Sequence, residues 1–132
     1  MLLIKPDAVK DRRIGDILKM VVDAGFDVQA LRMTRLTREQ AAQFYAVHEG
    51  KPFLAPLLEF MTSGKIVPVA LERQDAVAKL REILGATDPA KAATGTIRKL
   101  YGSSIERNAA HGSDSVENGV KETAFFFGEI EL

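Results

Sequence analysis

The residues best suited to chemistry lie in one segment near the carboxyl end, Asn108-Ala109-Ala110-His111-Gly112-Ser113-Asp114-Ser115. Gly112 removes bulk beside the imidazole, which lets a large group approach His111. A neutral imidazole is a good nucleophile near neutral pH because its ordinary pKa is about 6.5. One ring nitrogen can attack while the other donates to a carboxylate that fixes the tautomer, and Glu122 in the following helix is the candidate carboxylate.

The same segment has a second interpretation, because a solvent-exposed histidine in a polar loop before a capped helix would show the same residue types. The other histidine, His48, ends a helix beside Glu49, and we expect it to lie on the surface. Common fingerprints are absent, since the sequence has no P-loop, no dinucleotide motif, no Gly-x-Ser-x-Gly and no His-Glu-x-x-His. Composition and spacing therefore leave both interpretations open.

The composition predicts one folded domain spanning residues 1–132. Hydrophobic residues make up 46% of the chain, enough to build a core, which argues against disorder. Lysine plus arginine equals aspartate plus glutamate at 18 each, so bulk charge favours neither a nucleic-acid nor a membrane partner. The absence of cysteine rules out disulfides and thiolate metal sites, and no apolar run approaches the ~20 residues that span a bilayer. We therefore expect a cytoplasmic protein.

Short strands alternate with helices along the chain. Leu2-Leu3-Ile4 predicts a buried strand. The apolar run at 66–71 predicts another strand, although Pro68 inside it suggests a bulge or an edge position. Thr37 and Gln40 are spaced as a capping box, which predicts the start of a helix.

Further helix boundaries follow from caps and glycines. Gly25 and Gly85 are expected to end helices, whereas Asp75 and Ser115 are expected to cap helix starts. A fourth strand is expected within residues 97–105 or at the carboxyl end. This order of elements predicts the α+β class, a ferredoxin-like split βαβ sandwich in which helices cover a four-stranded antiparallel sheet.

The segment around His111 resembles the active-site signature of nucleoside diphosphate kinases, in the form Asn108-x-x-His111-Gly112-Ser113-Asp114. The resemblance covers essentially the whole chain, and the end soon after Phe127 favours a bacterial-type member with a short carboxyl terminus. One departure from the family pattern, Lys99-Leu100-Tyr101 after Arg98, is expected on the scaffold or a subunit surface. Other matching segments are Ile4-Lys5-Pro6-Asp7, Phe44-Tyr45, Lys51-Pro52-Phe53, Phe60-Met61-Thr62-Ser63-Gly64, Leu84-Gly85-Ala86-Thr87-Asp88-Pro89 and Gly95-Thr96-Ile97-Arg98.

The resemblance implies a specific reaction, which maintains the cellular pools of nucleoside and deoxynucleoside triphosphates. His111 would take the γ-phosphate of a triphosphate, mainly ATP, and pass it to a nucleoside diphosphate by a ping-pong route through phosphohistidine. Glu122, assisted by Ser113, would orient the imidazole. Lys5 and Tyr45 would act near the transferred phosphate.

The resemblance also implies how a nucleotide, its metal ion and other subunits would be held. Mg²⁺ would bridge the phosphates and be bound mainly by nucleotide and water, with no protein ligand. Homo-oligomers, either tetramers or hexamers built from dimers, are expected. The implied nucleotide contacts are Arg81, Thr87 and Arg98 for the phosphates, Lys5 and Asn108 for the sugar, Phe53 for stacking on the base, and Leu57 and Ile105 for the walls of the base cleft.

Two other functions remain open at the level of sequence. A phosphohistidine relay with a protein acceptor would not need Phe53 or Asn108. A nucleotide- or RNA-binding module without catalysis would not need His111 together with Glu122. An assay with ATP, Mg²⁺ and a non-adenine diphosphate separates both alternatives from the enzyme.

Overall fold

The centre of the computed structural model, which describes residues 1–132, is a sheet of four antiparallel strands. The strands are β1 (Leu2–Ile4), β2 (Asp27–Leu31), β3 (Val67–Glu72) and β4 (Ala110–Gly112), in the spatial order β2-β3-β1-β4. Seven helices cover the sheet, as predicted, and none has both the length and the hydrophobicity to cross a membrane. They are α1 (Pro6–Lys10), α2 (Ile14–Asp23), α3 (Arg38–Phe44), α4 (Leu54–Met61), α5 (Ala76–Leu84), α6 (Ile97–Tyr101) and α7 (Val116–Phe126).

Strand β1 separates two hydrophobic clusters because its side chains alternate between the two faces of the sheet. Leu2 and Ile4 pack with α2 and α5 on one face, whereas Leu3 packs with α3 and α4 on the other. The side chains of Leu2, Leu3 and Ile4 are all fully buried. Because helices cover both faces of the sheet at β1, every side chain of this strand must be apolar. The strand predicted at Leu2–Ile4 is confirmed.

The fourth strand lies where the sequence did not predict it. Residues 97–101 form helix α6, which begins where the Thr96 side chain accepts a hydrogen bond from the backbone N–H of Lys99. The strand is instead β4, and it contains His111. Three residues are too few to show an alternating pattern, so only the pairing with β1 reveals it. His111 is therefore a strand residue, and the interpretation as a loop residue is wrong.

Pro68 lies in a central strand, so the predicted edge position is wrong. Strand β3 pairs with β1 on one side and with β2 on the other. The carbonyl of Pro68 accepts from the N–H of Arg32, just beyond the end of β2. In an antiparallel pair both backbone groups of a residue face the same neighbour, so the proline removes only the bond that its N–H would donate to Arg32, and pairing resumes at Thr34 and Ile66. The irregularity of the sheet is in β2, between Val28 and Ala30.

Most of the predicted helix boundaries are confirmed. Thr37 and Gln40 form a reciprocal capping box, and Ser115 accepts from the N–H of Asn118. Asp75 precedes α5 as expected, but it adopts a left-handed conformation with φ of 58° and its side chain makes no capping bond. Its predicted capping role is therefore wrong, because a left-handed residue lacks the extended conformation from which an N-cap side chain usually reaches the helix start.

Gly112 allows β4 to lie directly against α5. A Cβ at this position would lie 2.7 Å from Leu84 Cδ1 and 3.0 Å from Leu80 Cδ2. We expect Gly112→Ala to lower the free energy of unfolding by about 1–3 kcal/mol, since buried side chains must move to admit the methyl group.

The matched control for this prediction is Gly15→Ala in helix α2. No atom lies within 4 Å of the added methyl group, so this variant should be neutral or stabilised by about 0.5 kcal/mol. Urea denaturation followed by circular dichroism measures both. Equal stabilities for the two variants would contradict the close approach of β4 to α5.

Candidate active site

His111 lies in the middle of β4, an edge strand held on one side by β1. Its register partner is Leu3, which is fully buried. The imidazole is 33% exposed, so a ligand can reach it while the sheet fixes its backbone. A side chain on a strand is held more precisely than one on a loop, which suits a group that must attack in one direction.

A carboxylate behind His111 fixes the tautomer of the imidazole. Nε2 lies 3.2 Å from Oε2 and 3.3 Å from Oε1 of Glu122, which projects from α7. Burial alone would raise the pKa of Glu122, but hydrogen bonds from His111 and Ser113 hold that pKa below its ordinary value. An ionised carboxylate can only accept, so Nε2 carries the hydrogen and we infer that Nδ1 keeps its lone pair.

Ser113 extends this hydrogen-bonded chain. Its Oγ donates to Oε1 of Glu122, and the backbone nitrogen of Met1 donates to the same Oγ at 3.1 Å. Ser113 is buried, so water does not compete for these bonds. The structure thus brings together the predicted nucleophile, its orienting carboxylate and the assisting serine.

Lys5 and Asn108 form a second polar group beside the end of β1. Nζ of Lys5 donates to the carbonyl of Glu106 at 2.6 Å and to Oδ1 of Asn108 at 3.0 Å, and it lies 5.3 Å from the centre of the Phe60 ring. Burial lowers the pKa of Lys5 to about 8. Nδ2 of Asn108 donates to the carbonyl of Thr87 at 3.1 Å. Asn108 therefore connects the lysine to the loop that carries Thr87.

Arg98 projects from α6 towards the strand that holds the histidine. It donates to the carbonyl of Gly85 at 3.0 Å and to the carbonyl of Ala110 at 3.1 Å. Burial, together with the nearby charge of Arg81, lowers the pKa of Arg98. Arg81, Thr87 and Arg98 line one cavity of about 470 Å³. Two guanidinium groups that line one cavity can together bind an anion of more than one charge.

A second cavity, of about 370 Å³, lies beside the imidazole. It is lined by Tyr45, His111 and Glu122. Burial raises the pKa of Tyr45, and the charge of Glu122 adds to the increase, so the phenol remains a hydrogen-bond donor.

His48 also lines this second cavity, where its side chain is half-buried rather than fully exposed. Its ring lies 6.4 Å from that of Tyr45 and 5.1 Å from that of Phe53, and its Nδ1 is buried without a partner. His48 is the last residue of a short 3-10 helix, Ala46–His48. The signal available in the sequence was the position of His48 three residues after Tyr45, which places both rings on one side of a helical turn.

The family model described as nucleoside diphosphate kinase matches residues 1–132 of this sequence. The chain belongs to this family. It is therefore a phosphotransferase enzyme, and the interpretation as a binding module without catalysis is wrong.

Several relatives agree with this membership of the nucleoside diphosphate kinase family. The enzyme of Chloroherpeton thalassium is 54% identical over 129 residues, which cover 98% of this chain and 92% of that protein. The enzyme of Salinibacter ruber is 48% identical over 130 residues, covering 98% of this chain and 92% of that protein. These relatives are bacterial, as the resemblance predicted.

Solved structures of the family have the same fold. The Aquifex aeolicus nucleoside diphosphate kinase superposes with a TM-score of 0.97 at 41% identity, covering 99% of this chain and 95% of that chain. The Halobacterium salinarum enzyme, solved in complex with CDP, has a TM-score of 0.94 at 38% identity, covering 99% of this chain and 88% of that chain. The predicted ferredoxin-like α+β fold is confirmed.

The residues expected to contact the base are more open than those around His111. Phe53 is 47% exposed and Ile105 is 61% exposed, whereas Leu57 packs partly against the cluster beneath α3 and α4. Lys51 lies 5.9 Å from the centre of the Phe53 ring. An exposed aromatic face is available for stacking, so these residues stay candidates for base binding.

The environment of Lys5 predicts an unusual titration. The pKa of Lys5 is lowered to about 8 by burial, and the charge of Asp7 opposes this decrease. We expect Lys5 to be charged below pH 8 and neutral above it, and we expect Asp7→Asn to lower the pKa of Lys5 further. NMR of ¹³C-labelled lysine measures both values. Asp11→Asn, an exposed carboxylate next to α1, is the control. A pKa of Lys5 near the ordinary 10.5 would contradict the buried geometry.

Proposed function

We propose that the chain transfers the γ-phosphate of a nucleoside triphosphate, mainly ATP, to a nucleoside diphosphate through phosphohistidine on His111. The observation that carries this proposal is the pair formed by His111 Nε2 and Glu122, at 3.2 Å, which leaves Nδ1 free on a partly exposed ring. A nucleophile held by an adjacent orienting carboxylate is the arrangement that covalent catalysis requires. The reaction would serve to maintain nucleoside and deoxynucleoside triphosphate pools.

The proposed first half-reaction forms one bond and breaks one bond. The lone pair on Nδ1 of His111 attacks the γ-phosphorus, and the bond from that phosphorus to the bridging oxygen breaks. The nucleoside diphosphate leaves with the electron pair on that oxygen. The ring becomes more positive, and Glu122 stabilises this charge by accepting a hydrogen bond from Nε2–H. The second half-reaction is the reverse, with a different diphosphate as the acceptor.

Charge around the phosphates would do most of the remaining work, because phosphoryl transfer proceeds through a loose transition state. We propose that Arg81, Arg98 and Thr87 bind the phosphates that are not transferred, since all three line the same cavity. Lys5 and the phenol of Tyr45 would act at the transferred group. Tyr45 shares its cavity with His111 and remains protonated, so it can donate a hydrogen bond.

The nucleoside would be held by few directional contacts. Asn108 and Lys5, which are hydrogen-bonded to each other, would contact the sugar hydroxyls. Phe53 would stack on the base, with Leu57 and Ile105 at the sides of the cleft. Every base offers a π-face, so a site of this kind accepts several bases. The CDP complex of the Halobacterium salinarum enzyme supports binding of a nucleoside diphosphate here.

Mg²⁺ is the proposed cofactor. The structure contains no group of three or more His, Asp and Glu side chains that could hold a metal ion, and arginines line the phosphate cavity instead. This set of side chains fits an ion that is bound through nucleotide phosphates and water, which is the coordination Mg²⁺ favours. Such an ion would neutralise phosphate charge, while Arg81 and Arg98 fix the positions of the phosphate oxygens.

We further propose a single domain over residues 1–132, located in the cytoplasm, that assembles into a tetramer or a hexamer built from dimers. Strand β2 supports self-association because it is an edge strand with exposed apolar side chains. Val28 is 42% exposed and Leu31 is 46% exposed. Sedimentation velocity distinguishes the two assemblies. Neither nucleic acid nor a membrane is proposed as a partner.

The proposed carrier predicts a covalent intermediate on one histidine. Incubation with γ-³²P-labelled ATP and Mg²⁺ should give an acid-labile, base-stable phosphoprotein, and chasing with a non-adenine diphosphate should release labelled triphosphate. His111→Ala should bind nucleotide but lose both the label and the transfer.

The matched control for the covalent intermediate is His48→Leu, which removes the only other histidine and should keep the label. Label that persists in His111→Ala would overturn His111 as the nucleophile. Label that reaches only a protein acceptor, without triphosphate product, would favour the relay interpretation.

The proposed orienting role of Glu122 gives a separate prediction. Glu122→Gln keeps a hydrogen-bond acceptor but loses the negative charge that stabilises the imidazolium. We expect the rate of phosphohistidine formation to fall roughly tenfold to 100-fold while nucleotide affinity stays within threefold. Glu117→Gln, an exposed carboxylate on the same helix, is the control and should leave the rate unchanged. Stopped-flow measurement of the first half-reaction tests this, and equal rates for the two variants would exclude the role.

A further inference from the structure

Ala109 is a strained residue two positions before the histidine. It is fully buried and has φ of 76°, a conformation that side chains other than glycine rarely adopt. The N–H of Ala110 donates to the carbonyl of Asn108 at 3.0 Å, which closes a three-residue γ-turn around Ala109. A γ-turn with positive φ is rare and persists only when surrounding groups hold it.

Two hydrogen bonds hold the peptide groups on either side of Ala109. Oδ2 of Asp7 accepts from the N–H of Ala109 at 3.0 Å, and the N–H of Lys5 donates to the carbonyl of Ala109 at 2.9 Å. Both bonds come from the segment formed by Lys5 and the first turn of α1. That segment is fixed because β1 is central in the sheet and Pro6 is buried.

The turn separates two residues of the proposed site. Asn108, before it, is tied to Lys5 and to the carbonyl of Thr87. His111, after it, is tied to Glu122. Because both ends are anchored, the turn sets the distance and the angle between the two groups.

We propose that Asp7 is a positioning residue for the phosphoryl transfer, and this inference rests on the proposed function. Its carboxylate holds the γ-turn at Ala109. It thereby fixes the distance and the angle between the side chains of His111 and Asn108. Loss of the acceptor lets the backbone at Ala109 relax to a negative φ, which displaces β4 and the imidazole.

The environment of Asp7 argues against a role in stability alone. Oδ1 is buried without any hydrogen-bond partner, and burial raises the pKa of Asp7 in spite of the bond from Ala109. A half-paired buried carboxylate is unfavourable for folding. Such unfavourable features concentrate at functional sites.

The test compares Asp7→Ala with Asp7→Asn at pH 6.5, below the pKa of about 8 of Lys5. Asp7→Ala should slow phosphohistidine formation at least tenfold while the affinity for a nucleoside diphosphate changes less than threefold. Asp7→Asn keeps an oxygen that can accept from Ala109 and should stay within threefold of the unmodified protein. Asp11→Ala, at the exposed carboxyl end of α1, should have no effect.

A double variant keeps the test decisive if Asp7→Ala folds poorly. Glycine adopts positive φ without strain, so the double variant Asp7→Ala, Ala109→Gly should fold. We expect it to form phosphohistidine at least three times faster than Asp7→Ala alone. No recovery in the double variant, or equal loss in Asp7→Asn and Asp7→Ala, overturns the proposal.

A structural measurement separates this inference from the proposed function. Crystal structures of the unmodified and Asp7→Ala proteins report φ at Ala109 and the distance from His111 Nε2 to Glu122. A negative φ with a changed distance supports the positioning role, whereas unchanged geometry overturns it. If the unmodified protein forms no phosphohistidine, the proposed function fails, and the crystal structures still decide the role of Asp7.

Discussion

The hydrogen bond from His111 Nε2 to Glu122 is the interaction on which the rest of the site depends. It joins strand β4 to helix α7, and the bond from Ser113 Oγ to the same carboxylate reinforces this connection. A bond of this kind weakens steeply with a small change in distance or angle. The pairing of β4 with β1 fixes one end. The other end is fixed by the cap at Ser115 and by Phe126, which is buried at the end of α7.

The parts of the fold that could be predicted from the sequence are those with a local cause. The capping box at Thr37 and the buried strand at Leu2–Ile4 each depend on residues within a few positions of one another. Strand β4 could not be predicted because three residues carry no period and only the pairing with β1 defines them. Pro68 was misjudged for a related reason, since its missing donor removes only one bond of a pairing that Thr34 and Ile66 continue, and no local pattern reveals that pairing.

The same division applies to the candidate site. His111, Ser113 and Glu122 could be named from a short segment and its resemblance, and they lie in contact. Asp7 could not, because its bond to Ala109 joins residues 102 positions apart. Some carboxylates near a helix start accept a hydrogen bond from a distant backbone N–H, and others do not. No local sequence pattern tells the two apart.

The edge position of β4 has a consequence for Arg98. Both backbone groups of Ala110 point away from β1, and both are occupied, the N–H by Asn108 and the carbonyl by Arg98. An edge strand with free backbone groups is a template on which another chain can add a strand and aggregate. The guanidinium therefore occupies one carbonyl on the open side of the sheet and also lines the cavity that it shares with Arg81. A change of Arg98 would therefore alter the lining of that cavity and at the same time free an edge-strand carbonyl for pairing with another chain.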